Sequence, residues 1–192
     1  ARCLLAAGHL RAPCALVIGS EALSRITDFT DRSTCVLFGD GAAAAVIRLT
    51  DDAPYACVLG ARGDTQILRA GGAGETDRFI HMDGQAVFRF AVDAVPKCID
   101  AVLSQAGMTL DQVDHVICHQ ANSRIIDYVV RKLKAPPEKF YKNMDRYGNT
   151  SAASIPIALD ELLEKGLARQ GQIALCVGFG AGLTWGGALL KL

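Results

Sequence analysis

Apolar and polar positions repeat along the chain with two different periods, and the switches between them mark out strands and helices. APCALVIGSEAL reads as a buried strand feeding a polar turn. STCVLFGDGAAAAVIRLT reads as a second buried strand, a Gly-Asp-Gly turn and a third apolar strand whose alanines permit close backbone approach. YACVLGARGD and LRAGGAGETDRFIHMDG read as strands around a glycine-rich loop. From Gln85 to Gly107 the residues Val87, Phe88, Ala91, Val95, Ile99, Val102 and Leu103 recur at helical spacing, which predicts a long helix bent or broken near Pro96. TLDQVDHVICHQ predicts a short helical turn and a buried strand, NSRIIDYVVRKL an amphipathic helix, and KFYKNMDRYGN a strand and turn. TSAASIPIALDELLEKG predicts a helix ended by Gly166, and GQIALCVGFGAGLTWGGALLKL two closing strands about a glycine turn. At the other end, ARCLLAAG reads as the last turns of a helix closed by Gly8 and entered midway, since no cap precedes it.

The order of elements gives two strand-turn-helix units in succession, an α/β class, with the most boundary-like polar stretch, DDAP, at residues 51–54. Composition agrees: 51% apolar residues, 19 glycines and a single tryptophan belong to a densely packed α/β protein. Charge narrows the function. Lys plus Arg and Asp plus Glu number 20 each, so no net field recommends nucleic acid or an anionic membrane, and any phosphate contact falls to a few local arginines. Apolar runs such as CALVIG and ALCVGFGAG are too short to span a bilayer and no stretch has the order of a signal peptide, which predicts a cytoplasmic protein. The cysteines Cys3, Cys14, Cys35, Cys57, Cys98, Cys118 and Cys176 are scattered without a CxxC pair or a His/Cys ligand spacing. They read as small buried hydrophobes, with neither a disulfide framework nor a metal site. The glycine-rich loop lacks the Lys-Ser/Thr ending of a phosphate-binding loop.

Candidate chemistry lies at the junctions. Open α/β sheets place ligands at the carboxyl ends of their strands, and His119 and Asn149 each occupy a predicted strand-to-helix junction, so both can face one cleft. GFGAG supplies a third junction whose backbone N–H groups are unshielded by side chains. A neutral imidazole N–H and a carboxamide NH2 are both uncharged donors. Converging on one carbonyl oxygen, they would stabilise an enolate as it forms, which suits carbon-carbon bond chemistry on a thioester. His9, His81 and His115 show no such pattern and read as structural.

HQANSRII and YGNTSAASIPIALDE, preceded by TDRSTCVLFGDGAAAAVI and followed by GFGAGLTWGGALL, resemble the ketoacyl-acyl carrier protein synthase III enzymes, which initiate type II fatty acid synthesis. The resemblance runs over essentially the whole chain. It implies a thiolase-like layered fold, helices between and outside two mixed sheets. Residues 1–52 would then be the remainder of an incomplete amino-terminal half and residues 53–192 the carboxyl-terminal half. It implies that His119 and Asn149 decarboxylate a malonyl thioester and hold the enolate oxygen, and that Gln120, Ala121, Asn122, Ser123 and Arg124 dock acyl carrier protein. Arg32 would contact the nucleotide end of coenzyme A. Phe38, Met82, Gly84 and Phe88 would neighbour the substrate tunnel, and Phe179 and Gly180 would form the active-site glycine loop. The substrates implied are acyl-CoA and a malonyl thioester, with no cofactor, and the intact protein is implied to be a homodimer.

These enzymes carry a nucleophilic cysteine in an Ala-Cys-Ser/Thr-Gly context at the start of a buried helix, where the helix end favours the thiolate. No cysteine here has that context, and the resemblance places the nucleophile just upstream of Ala1. Cys118 is no substitute, because strand alternation turns it away from the face His119 uses. Two other readings remain: a non-catalytic partner that keeps the fold for dimerisation or carrier-protein docking, and a polyketide-type condensing enzyme. A chain lacking its amino-terminal half is expected to expose apolar surface where that half packs.

Overall fold

The computed structural model describes residues 14–72 and 74–192, so the helix expected over residues 1–8, with Cys3, and His9 lie outside the described residues. Four strands form the central sheet in the order β3 (Ala56–Asp64), β8 (Gly182–Lys191), β7 (Ile173–Gly180), β6 (His115–Cys118). β6 and β7 run parallel while β7–β8 and β8–β3 are antiparallel, so the sheet is mixed. β1 (Cys14–Glu21) and β2 (Gly41–Arg48) make a separate antiparallel ribbon, and β4 (Leu68–Ala70) pairs with β5 (Ile80–Met82).

Period-two alternation decides what each face of the central sheet packs against. Val116, Cys118, Leu175, Val177 and Leu189 join one core cluster with α1 (Gly84–Ala106) and α2 (Ser123–Leu133). Ile117 and Ala174 face the other way, onto Ala158 and Leu162 of α4 (Ser154–Glu164). α4 also touches β2, where the Ile157 side chain approaches Gly41. The layers are therefore ribbon, α4, central sheet, α1 with α2, which sets one helix between two sheets and others outside.

Caps fix where the helices begin and end. Asp83 accepts the N–H groups of Gln85 and Ala86 at the start of α1, and Gly107, at φ +63°, closes it in the left-handed region. Asn122 accepts the Arg124 N–H at the start of α2. No helix among the described residues is long and apolar enough to cross a membrane.

Four expectations need correction. The ribbon reads as buried, yet Leu16 is 61% exposed, Ile18 62% and Val46 74%: a hydrophobic pattern marks a face that wants cover, and no described layer covers this one. The strand expected over STCVLFG is a run of turns. The Asp31 carboxylate accepts from the Ser33 N–H and from the hydroxyls of Ser33 and Thr34, and Asp28 does the same for Thr30, so local side-chain bonds replace a ladder. KFYKNMDRYGN forms no continuous strand: Phe140 makes an isolated bridge with Val116 and Asn149 one with Phe38, on either side of the single turn α3 (Met144–Tyr147). Finally, α1 runs unbroken through Pro96. That residue lies on the buried face against the sheet, and packing along the whole stripe outweighs a local cost of about 3 kcal/mol.

Candidate active site

Strand alternation carries one residue past the end of β6. The His119 N–H donates to the Val177 carbonyl at 2.8 Å, extending the parallel ladder, and the same alternation that sends Ile117 toward α4 sends the His119 side chain there. His119 Nδ1 lies 2.6 Å from the Ser154 hydroxyl at the first residue of α4, and no described group partners Nε2. The Phe179 ring meets the imidazole edge to face, with centroids 5.3 Å apart. Phe90 and Trp185 continue this aromatic wall.

Asn149 reaches the same place by another route. It follows α3 and Gly148 rather than a strand. Its backbone pairs with the segment around Phe38: the Asn149 N–H donates to the Leu37 carbonyl at 2.8 Å and the Gly39 N–H to the Asn149 carbonyl at 2.9 Å. Asn149 thus stands on a backbone seam and not at a strand-to-helix junction, because the pairing partner lies more than a hundred residues upstream where no local pattern announces it. Its Oδ1 accepts the Ser151 N–H at 2.9 Å, which orients the carboxamide and leaves Nδ2 as the free donor.

Phe38, His119, Asn149, Phe179 and Gly180 line one cavity of about 830 Å3, together with Ala181, Gly178 and the apolar side chains Leu23, Ile26 and Ile155. The structure brings these five expected residues together and leaves others elsewhere. Met82 and Gly84 sit at β5 and the start of α1. Phe88 packs edge to face on Tyr128, 6.5 Å between centroids, and Arg32 is exposed among the turns of residues 31–37. Ser123 and Arg124 are exposed at the start of α2, and Ala121 is half-buried.

Gln120 differs from the surface contact that the resemblance implies. It is 1% exposed, and its amide donates to the carbonyls of Cys118 and Tyr141 while accepting the Asn143 N–H, so its side chain braces the loop from within. Asn122 is likewise engaged as the cap of α2. Ser154 was not legible as a site residue, since a serine opening a helix reads as a cap and nothing in TSAAS separates it from Ser151.

Burial lowers the His119 imidazole from its ordinary 6.5 to about 4, which keeps it neutral near pH 7. The unfolded chain binds the proton more tightly between these values. Stability is therefore unaffected above pH 6.5 and is lost as pH falls from about 6.5 to about 4. Because the ring faces an open cavity, we expect a loss of about 1–2 kcal/mol, less than the full shift would give. Urea midpoints measured at pH 7 and pH 4.5, with a His119→Gln control that lacks this increment, check it.

The thiols are the opposite case. Cys118 is buried in the core on the far face, and burial pushes both Cys118 and Cys176 up to about 12, so neither is a ready nucleophile. Among the described residues no group of three or more His, Cys, Asp or Glu is arranged to hold a metal ion.

A helix between two sheets, and a neutral histidine and an oriented carboxamide on an apolar cavity at the sheet's edge, define a thiolase-like α/β protein. Residues 1–68 match the model of the 3-oxoacyl-[acyl-carrier-protein] synthase III family and residues 103–192 match that of its C-terminal part; the chain belongs to this family. It is 46% identical over 189 residues to the beta-ketoacyl-[acyl-carrier-protein] synthase III of Clostridium botulinum, covering 92% of this chain and 58% of the relative. The crystal structure of the beta-ketoacyl-[acyl carrier protein] synthase III of Thermus thermophilus superposes with a TM-score of 0.92 at 40% identity, over 100% of this chain and 62% of that one. The priming beta-ketosynthase of the R1128 polyketide pathway superposes with a TM-score of 0.84 at 37% identity, over 93% and 57%. The chain thus spans somewhat under two thirds of the length of these relatives.

Proposed function

We propose that this chain supplies the decarboxylating half of a condensing site, which in the intact protein joins an acyl-CoA starter to a malonyl-acyl carrier protein and so initiates fatty acid synthesis. The observation that carries the reading is the presence, in the lining of one cavity, of two uncharged donors: the imidazole N–H of His119, held neutral by burial, and Nδ2 of Asn149, freed by the bond from the Ser151 N–H to Oδ1. The malonyl thioester oxygen sits between them. As the bond from the α-carbon to the carboxylate breaks, carbon dioxide leaves and the electron pair moves into the enolate, whose oxygen both donors stabilise without a change of protonation. The enolate carbon then attacks the acyl thioester on the enzyme's nucleophile, and the thiolate departs.

The described cysteines do not serve as that nucleophile. Coenzyme A thioesters enter as substrates rather than cofactors, and the intact protein works in the cytoplasm as a homodimer docked by the acyl carrier protein near Arg124. The unpartnered apolar ribbon, with Leu16, Ile18 and Val46 exposed, supports a larger assembled protein. The likeness to a polyketide priming synthase favours keeping starter choice separate from this chemistry.

The test is to incubate the full chain with malonyl-CoA and follow carbon dioxide release, then to add acyl-CoA and search the protein by mass for a covalent acyl group. Release of carbon dioxide without an adduct on Cys118 or Cys176 is expected. Carrier-protein binding with no decarboxylation sinks the reading and leaves a docking scaffold.

A further inference from the structure

We propose that Ser154 is a positioning residue that fixes His119 as the tautomer with its proton on Nε2. This rests on the reading that the ring donates to an enolate oxygen, because only one of the two neutral tautomers presents a donor to the cavity.

The geometry decides the direction of the bond by elimination. A serine hydroxyl has one proton and two lone pairs. Around Ser154 Oγ two neighbours lie within hydrogen-bond distance. The Gln120 N–H, 3.4 Å away, is a donor and takes a lone pair. His119 Nδ1, 2.6 Å away, is the other. Serines in the first turn of a helix usually bond back to a carbonyl of the preceding turn or cap their own helix, but the Ser154 hydroxyl makes neither bond. Its proton has one acceptor available, the Nδ1 lone pair, so the ring proton resides on Nε2. Ser154 is 2% exposed, and water does not compete for the bond.

Two further features hold the arrangement. The His119 backbone N–H is committed to Val177, so the ring cannot swing away with its peptide. Ser154 also opens an eleven-residue helix, whose positive end lies beside the ring and opposes a second proton on it. The two donors of the site are thereby set by the same short stretch: the Ser151 N–H orients Asn149 and the Ser154 hydroxyl orients His119.

Long-range 15N–1H correlation spectra of the labelled full chain read the tautomer directly. We expect Nε2 protonated and Nδ1 bare from pH 6 to 8. In Ser154→Ala a mixture of tautomers is expected, with kcat for malonyl-CoA decarboxylation down about 10- to 100-fold and KM within about twofold. Ser154→Thr, which keeps the hydroxyl, is expected to recover the single tautomer and most of the rate. A wild-type ring protonated on Nδ1, or an unmixed tautomer with undiminished kcat in Ser154→Ala, overturns the proposal. An Nε2–H ring in a wild type that releases no carbon dioxide would instead leave the Ser154 assignment standing and remove the proposed function.

Discussion

Asn149→Ala is expected to lower the decarboxylation of malonyl-CoA by about 100- to 1000-fold, the loss typical when one preorganised donor to a developing oxyanion is removed. The side chain earns this expectation through its fixed orientation: with Oδ1 held by Ser151, Nδ2 meets the substrate without first being turned. Asn149→Asp sharpens the test. Its first oxygen can still accept the Ser151 N–H, but its second is a charged acceptor where the enolate needs a donor, so an isosteric change is expected to be as damaging as the truncation. His119→Ala is expected to cost about as much, and the double variant little more than either single one, since the two donors act on one oxygen as a unit. Carbon dioxide release is the measurement, with far-UV circular dichroism confirming the fold; rates within threefold of wild type would remove Asn149 from the site.

Gly39→Ala is expected to damage both stability and chemistry although Gly39 touches no substrate. A Cβ there would be driven into the carbonyl oxygen of Tyr147, a backbone atom with no flexible end to give way. The cost is expected to be about 1–3 kcal/mol, as for other overpacking changes. The same residue donates its N–H to the Asn149 carbonyl, so relief of the clash displaces the catalytic carboxamide. A urea midpoint shift together with a drop in decarboxylation of at least tenfold is the expected pair, because small misplacements of a positioned donor are costly. Gly63→Ala, where a Cβ meets nothing within 4 Å, is the control expected to change neither.

What was legible in the sequence followed from local rules. The helical period from Gln85 to its end at Gly107 and the alternation that separates Cys118 from His119 are written in neighbouring residues, and the structure has them. The His and Asn of the cavity were found by residue type and by resemblance. What escaped depends on partners far away in sequence or on competition between bonds. The turns of residues 31–37 arise because Asp28 and Asp31 bond locally more readily than the backbone pairs, and a β-rich pattern hides that competition. The burial of Gln120 depends on carbonyls brought by Cys118 and Tyr141. Ser154 became visible only once β6 ended against the start of α4.

The strand order has a consequence for synthesis. β8 stands between β3 and β7 in the sheet, yet in the chain it follows β3 only after β4, β5, β6 and β7. Until it is translated, β3 has no neighbour among the described strands, and Gly187 is missing from beneath the Cys98 and Val102 side chains of α1. The nascent chain therefore has to hold an unsatisfied strand edge from Asp64 until Gly182 is made, and an uncovered helix face from Ala106 until Gly187 is made. Such late closure exposes the nascent chain to wrong pairings in the interval.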